Sequence, residues 1–190
     1  MVDGELVSVM AAAAYAVVMA GATIRRYHGR MSGNDDHRAY LRRAIDLAQR
    51  HMDAGAGGPF GAVIVRGDQV LGEGWNVVTS ANDPTGHAEV QAIRAACRAM
   101  NDFQLTGAVL YTSCEPCPMC LAAAYWARIE RIYYANTRAE AAAIGFDDAF
   151  IYDEVPLAPE ARSLPAIALP SAAGRELFAA WDAKDDKIPY

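Results

Sequence analysis

The sequence has no excess of positive charge. Its 17 Lys and Arg stand against 23 Asp and Glu, a net charge of −6. A surface that holds nucleic-acid phosphates favours the opposite balance, so no nucleic-acid partner is expected. Cysteine is scarce as well: Cys97, Cys114, Cys117 and Cys120. Three are clustered and one falls in a predicted helix. That is not the spaced framework of a small secreted domain, and it points to a cytoplasmic metal site. The C-x2-C-x2-C run from Cys114 lacks the further Cys that a ferredoxin-type iron–sulfur run needs four residues on, where Ala124 stands. There is no internal repeat and, past the Ala-rich start, no low-complexity block. With 53% apolar and 21% charged residues, the chain is not of the disordered class. Its 190 residues suffice for one domain with a sizeable core.

Leu6 to Ile24 is an uncharged run of 19 residues, followed by Arg25, Arg26 and Arg30. Its length would permit a membrane span. Its composition does not favour one, because Ala dominates where Leu, Ile or Phe would be expected. It also lacks the basic start of a secretory signal, carrying Asp3 and Glu5 instead. Residues 1–33 are therefore read as an N-terminal extension rather than a membrane contact, and residues 34–190 as the domain proper.

Residues 35–52 have the apolar spacing of an amphipathic helix, with Asp35 or Asp36 at its start and Gly55, Gly57 and Gly58 past its end. Residues 60–65 and 70–78 read as a hairpin about the turn Arg66-Gly67-Asp68. Gly72 and Gly74 would weaken the second strand, so they mark a bulge or a close backbone approach. A polar loop runs to Gly86, and a helix with a small-residue face (Ala88, Ala92, Ala95, Ala96, Ala99) follows from His87 to Met100. Residues 108–112 read as a third strand. Pro116 and Pro118 open a helix to Arg128, in the first turn, where proline's missing donor has no partner to lose. A strand over 131–135, a helix over 138–144, a proline-interrupted stretch with a strand near Ile167, and a last helix over 172–183 complete the order.

Chemistry concentrates at two helix starts. His87, Cys117 and Cys120 form a set of imidazole and thiolate donors suited to zinc, and three protein ligands leave a fourth position for water. Zinc eases the ionisation of such a water. Glu89, two residues past the histidine and not itself needed as a ligand, can carry protons. The positive end of each helix favours thiolate over thiol. Singly, a helix-start histidine is most often a cap and a lone C-x2-C is structural or redox-active; together, in this context, they describe a catalytic zinc site. Cys114 reads as a buried small hydrophobe, and His28, His37 and His51 as surface residues. Phe60, Trp75 and Trp126 read as core, with Phe60 and Trp126 also available as flat walls for a bound base.

The H-A-E run at His87 and the P-C-P-M-C run at Pro116 match the H-x-E…P-C-x-x-C signature of zinc deaminases. With G-G-P-F-G-A-V-I-V from Gly57, N-D-P-T-G-H-A-E-V from Asn82, Y-W-A-R from Tyr125, A-I-G-F-D-D from Ala143 and the final Tyr190, the chain resembles the cytidine deaminase-like superfamily over roughly residues 35–190. Gly145–Asp148 and the terminal tyrosine resemble its guanine deaminase branch. The resemblance implies an α/β fold, a three-layer α/β/α sandwich about a mixed five-stranded sheet. It implies a homodimer that exchanges C-terminal segments, with Zn2+ as cofactor and a small purine as substrate. It further implies that Asn76 bonds the purine, that Phe60 and Trp126 line the pocket, and that Asp148 and Tyr190 complete it. The implied reaction is hydrolysis of guanine to xanthine and ammonia, with Glu89 as the catalytic proton carrier. Alternatives are guanosine, another aminopurine, an aminotriazine or cytosine as substrate, deamination of tRNA adenosine, and a non-catalytic zinc-stabilised interaction protein. The tail departs from the branch, with Asp185, Asp186, Ile188 and Pro189 where basic residues would be expected.

Overall fold

A computed structural model describes residues 33–189. The N-terminal run and Tyr190 lie outside the described residues. Helix α1 (Gly33–Asp53) leads into the hairpin of β1 (Gly61–Arg66) and β2 (Gln69–Trp75). The one-turn helix α2 (Val78–Ala81) precedes α3 (Ala88–Met100), and β3 (Val109–Cys114) feeds α4 (Pro118–Trp126). Strand β4 (Arg131–Asn136), α5 (Arg138–Ala143), α6 (Ala149–Glu154), a 3-10 turn (Pro159–Ala161) and α7 (Ala172–Asp182) follow.

The strands form one mixed sheet in the order β2-β1-β3-β4. β1 pairs antiparallel with both β2 and β3, and β3 pairs parallel with β4. Parallel neighbours need a crossover, and α4 supplies it. Alternation along β1 separates the two faces of the core. Val63 and Val65 meet Ala44 and Leu47 of α1, with Val109 and Tyr111 beside them. Ala62 and Ile64 meet Ala88, Ala92 and Ala96 of α3, with Leu110 and Ala124. A strand covered on both faces needs a continuous apolar run rather than an alternating one, which is what Gly61–Val65 supplies.

The interior glycines of β2 mark a close approach. A Cβ on Gly74 would overlap the Ala88 carbonyl oxygen and the Ala92 amide nitrogen, and one on Gly72 would stand 2.5 Å from the Ala96 nitrogen. The small-residue face of α3 thus lies directly on the backbone of β2. Gly61 does the same for α1, where a Cβ would overlap the Ala44 carbonyl.

Four expectations need correction. Among the described residues the sheet has four strands, not five. No strand forms near Ile167: Pro165 and Pro170 each remove a ladder donor, and the segment lies exposed, with Ile167 at 68%. Helix α6 was not expected. It begins after Asp147, whose Oδ1 accepts from the Ala149 N–H at 2.9 Å, and its apolar Ala-Phe-Ile-Tyr run is too short to show a period. His37 and His51 are not simple surface residues. His37 bridges two phenols, Nδ1 to the Tyr111 hydroxyl at 2.7 Å and Nε2 to that of Tyr133 at 3.2 Å. His51 stacks face to face on Trp75 at 3.6 Å. No described helix is long and apolar enough to cross a membrane.

Gly74→Ala should lower the free energy of unfolding by about 1–3 kcal/mol, as overpacking does. The check is the midpoint of a urea transition at constant slope. An unchanged midpoint would mean that α3 does not need the bare backbone of β2.

Candidate metal and substrate site

Two loops at one end of the sheet bring the donors together. His87 is the N-cap residue of α3, held in extended conformation, and Cys117 is the N-cap residue of α4 with Pro118 next. Neither uses its side chain to cap its helix, so both side chains are free to turn inward. His87 Nδ1 lies 3.6 Å from Cys117 Sγ and 3.5 Å from Cys120 Sγ. All three donor atoms fall within 4.8 Å of one another. Tetrahedral zinc, with Zn–S near 2.3 Å and Zn–N near 2.0 Å, separates such ligands by about 3.5 Å. The donor set therefore fits zinc in both chemistry and spacing.

Charge supports the same fit. A hydrogen bond from Cys120, with His87 behind it, holds the Cys117 thiol down at about 4 against the opposing effect of burial. Cys120 faces that sulfur from a buried position and is pushed up. On the protein's own charges the two thiols are pulled apart, Cys117 toward thiolate and Cys120 away from it. A divalent cation among the three donors favours thiolate at both. The bond to Cys117 also raises His87 from its ordinary value.

Glu89 is buried in the first turn of α3. Its Oε1 accepts from the Thr112 hydroxyl at 3.3 Å, and Oε2 accepts from Cys120 Sγ at 3.4 Å. The carboxyl is thus fixed between the end of β3 and the donor cluster. Burial raises its pKa, so it takes up a proton more readily than an exposed glutamate does.

A cavity of about 650 Å³ opens beside the cluster. His87, Glu89 and Cys117 lie in its wall, with Phe60, Asn76 and Asp148 from the residues implied by resemblance. Asn76 is buried, and its Oδ1 accepts from the backbone N–H groups of Gly58 and Val78, each at 3.2 Å. The amide nitrogen is left as its donor toward the cavity. The Gly57-Gly58 pair permits this, since a Cβ on Gly57 would stand 2.5 Å from Asn76 Oδ1. Phe60 meets Phe146 edge to face, ring centroids 4.8 Å apart.

One implied residue is not brought to the cavity. Trp126 ends α4, is 61% exposed, and is absent from the cavity wall of this chain. Phe146 provides the second aromatic wall instead. Its signal in the sequence is the G-F-D-D run, where it stands two residues before Asp148. Glu115 and Arg138 also line the cavity, and no motif singled them out. Cys114 is in the wall too, but its thiol donates to the Thr137 carbonyl at 3.7 Å and burial pushes it up to about 11, so it stays outside the donor cluster.

Residues 34–136 match the model of the cytidine and deoxycytidylate deaminase zinc-binding region. The chain is 49% identical over 155 residues to a guanine deaminase of Bacillus subtilis, spanning 82% of this chain and 99% of that protein. The X-ray structure of guanine deaminase from that organism superposes with a TM-score of 0.79 at 48% identity, over 81% of this chain and 98% of that one. A tRNA-specific adenosine deaminase of Agrobacterium fabrum is 47% identical over 76 residues, which is 40% of this chain and 50% of that protein.

Cys117→Ala should abolish stoichiometric zinc, measured as metal content after dialysis. Full retention would break the ligand assignment.

Proposed function

The chain belongs to the cytidine and deoxycytidylate deaminase family, and from that membership we propose that it hydrolyses guanine to xanthine and ammonia. The observation that carries the substrate is the extent of the likeness. It runs through 99% of the B. subtilis guanine deaminase but only half of the A. fabrum tRNA deaminase. The chain's acidic balance agrees, since a tRNA substrate would favour a basic surface.

His87, Cys117 and Cys120 hold the zinc. When bound there, zinc supplies the Lewis acidity that lets a water ionise near neutral pH. The remaining work falls to the chain's own side chains. Asn76, oriented by Gly58 and Val78, donates to a purine acceptor. Phe60 and Phe146 confine the ring plane. Asp148 accepts from the purine's N–H groups. Glu89 takes one proton from the attacking water and passes it to the ring nitrogen next to C2; it then takes the proton of the hydroxyl added at C2 and delivers it to the amine, which leaves as ammonia while the C2 carbonyl forms. Thr112 keeps the carboxyl aimed through this cycle.

Residues 34–190 are the catalytic unit in this reading, working in the cytoplasm as a homodimer. Support for the dimer comes from apolar surface. Leu177, Phe178 and Trp181 of α7 are exposed, as are Leu164 and Leu169 before it, and most residues of the edge strand β4. Exposed large apolar side chains in such number favour an interaction site. Exchange of C-terminal segments would cover it and carry Tyr190 toward an active site. Trp126, exposed on its own chain, would join a pocket only through such an exchange.

Ammonia release by zinc-loaded protein, with guanine and guanosine side by side, tests the substrate. Guanine alone is the expected answer; guanosine alone would mean a pocket open to ribose. Glu89→Ala should keep its zinc and lose about 10²–10⁴-fold in kcat, the usual range for a general acid–base group. Sedimentation equilibrium should return twice the chain mass, and a monomer would remove the exchange.

A further inference from the structure

Asp148 is the N-cap residue of α6, and Tyr152 stands one helical turn on, so the two share a face. The Tyr152 hydroxyl donates to the Pro116 carbonyl oxygen at 3.0 Å. Pro116 directly precedes the ligand Cys117. On the ring side, the Arg138 guanidinium carbon lies 4.4 Å from the Tyr152 centroid, within cation–π range. The Arg138 backbone N–H in turn donates to the Glu115 carboxylate at 3.0 Å. These contacts close a ring. The hydroxyl joins α6 to the ligand loop, the guanidinium joins α6 to α5, and Glu115 joins α5 back to the ligand loop. Asp148, Glu115 and Arg138 line the cavity, and Tyr152 does not. Whatever Tyr152 does for a bound molecule, it does through its neighbours.

We propose that Tyr152 is a positioning residue for the deaminase site. Its bond to Pro116 and its contact with Arg138 fix where Asp148 stands relative to the metal-ligand loop, and so set how well the cavity grips its substrate. The inference rests on the reading of Asp148 as a substrate contact. A helix of six residues has little cooperative stability of its own, so external contacts must hold its first turn in place.

Tyr152→Phe keeps the ring and removes the hydroxyl. KM for guanine should rise about two- to tenfold, the factor one neutral hydrogen bond is worth. Zinc content and Tm should be unchanged. In an Asp148→Asn background the same substitution should add nothing, because the group it positions is already altered. Guanine binding by calorimetry replaces KM wherever turnover is too slow to follow. An equal rise in both backgrounds, or none in either, overturns the proposal. Hydrogen exchange gives a readout independent of activity. Amides of residues 147–154 should exchange faster in Tyr152→Phe while those of 88–96 keep their protection. Arg138→Gln should reproduce that pattern from the other side of the ring. Unchanged exchange at 147–154 in both variants removes the clasp. A wild-type protein that releases no ammonia from guanine would end the substrate reading, and exchange would still decide the clasp.

Discussion

The seat of α3 on β2 is the constraint from which the site follows. Helix and strand meet backbone to backbone because Gly72 and Gly74 face Ala88, Ala92 and Ala96. That contact fixes the height of α3 above the sheet to within a methyl group. His87 and Glu89 stand at the near end of the same helix, so their distance from the end of β3 is fixed with it. Thr112, at that end, then reaches Glu89, and Cys120 reaches both Glu89 and His87. Larger side chains along β2 would lift α3 and open every one of these distances together.

The site puts two thiols, an imidazole and a buried carboxyl into one small volume. Such a cluster is unfavourable without a cation, because burial opposes charge on Cys120 and on Glu89 alike. The same crowding is what a zinc deaminase needs: strong donors for the metal, and beside them an acid ready to accept a proton. Stability and chemistry therefore draw on the same residues, and metal binding relieves the electrostatic conflict that folding creates.

Another part of the cavity wall comes from later in the chain. Asp148 and Phe146 come from the short elements after β4, tied to the body by the Phe60 ring and the Pro116 carbonyl and to one another by the Arg138 cation. One wall of the cavity thus carries the metal donors. The other rests on a few side-chain contacts, and it is the side where substrate preference can vary without touching the chemistry. The exposed apolar residues of α7 follow later in the chain, just before the tail that departs from the resemblance.

The sequence by itself determined the candidate donors, the acid beside them and the order of the main elements through α5. Those signals are local: His87 and Glu89 are two residues apart, Cys117 and Cys120 three, and both groups sit where caps, prolines and apolar spacing mark helix starts. The two β2 glycines beside an Ala-faced helix were legible for the same reason. Tertiary structure alone decided that Phe146 lines the cavity of this chain beside Phe60, two residues far apart in sequence. It also decided that His37 links Tyr111 to Tyr133, that Asn76 spends its oxygen on Gly58 and Val78, and that the Tyr152 hydroxyl reaches the Pro116 carbonyl. Apart from the bond from Asn76 to Val78, two residues on, these contacts join residues distant in sequence. No spacing rule encodes such contacts, and only the folded chain brings their partners within reach.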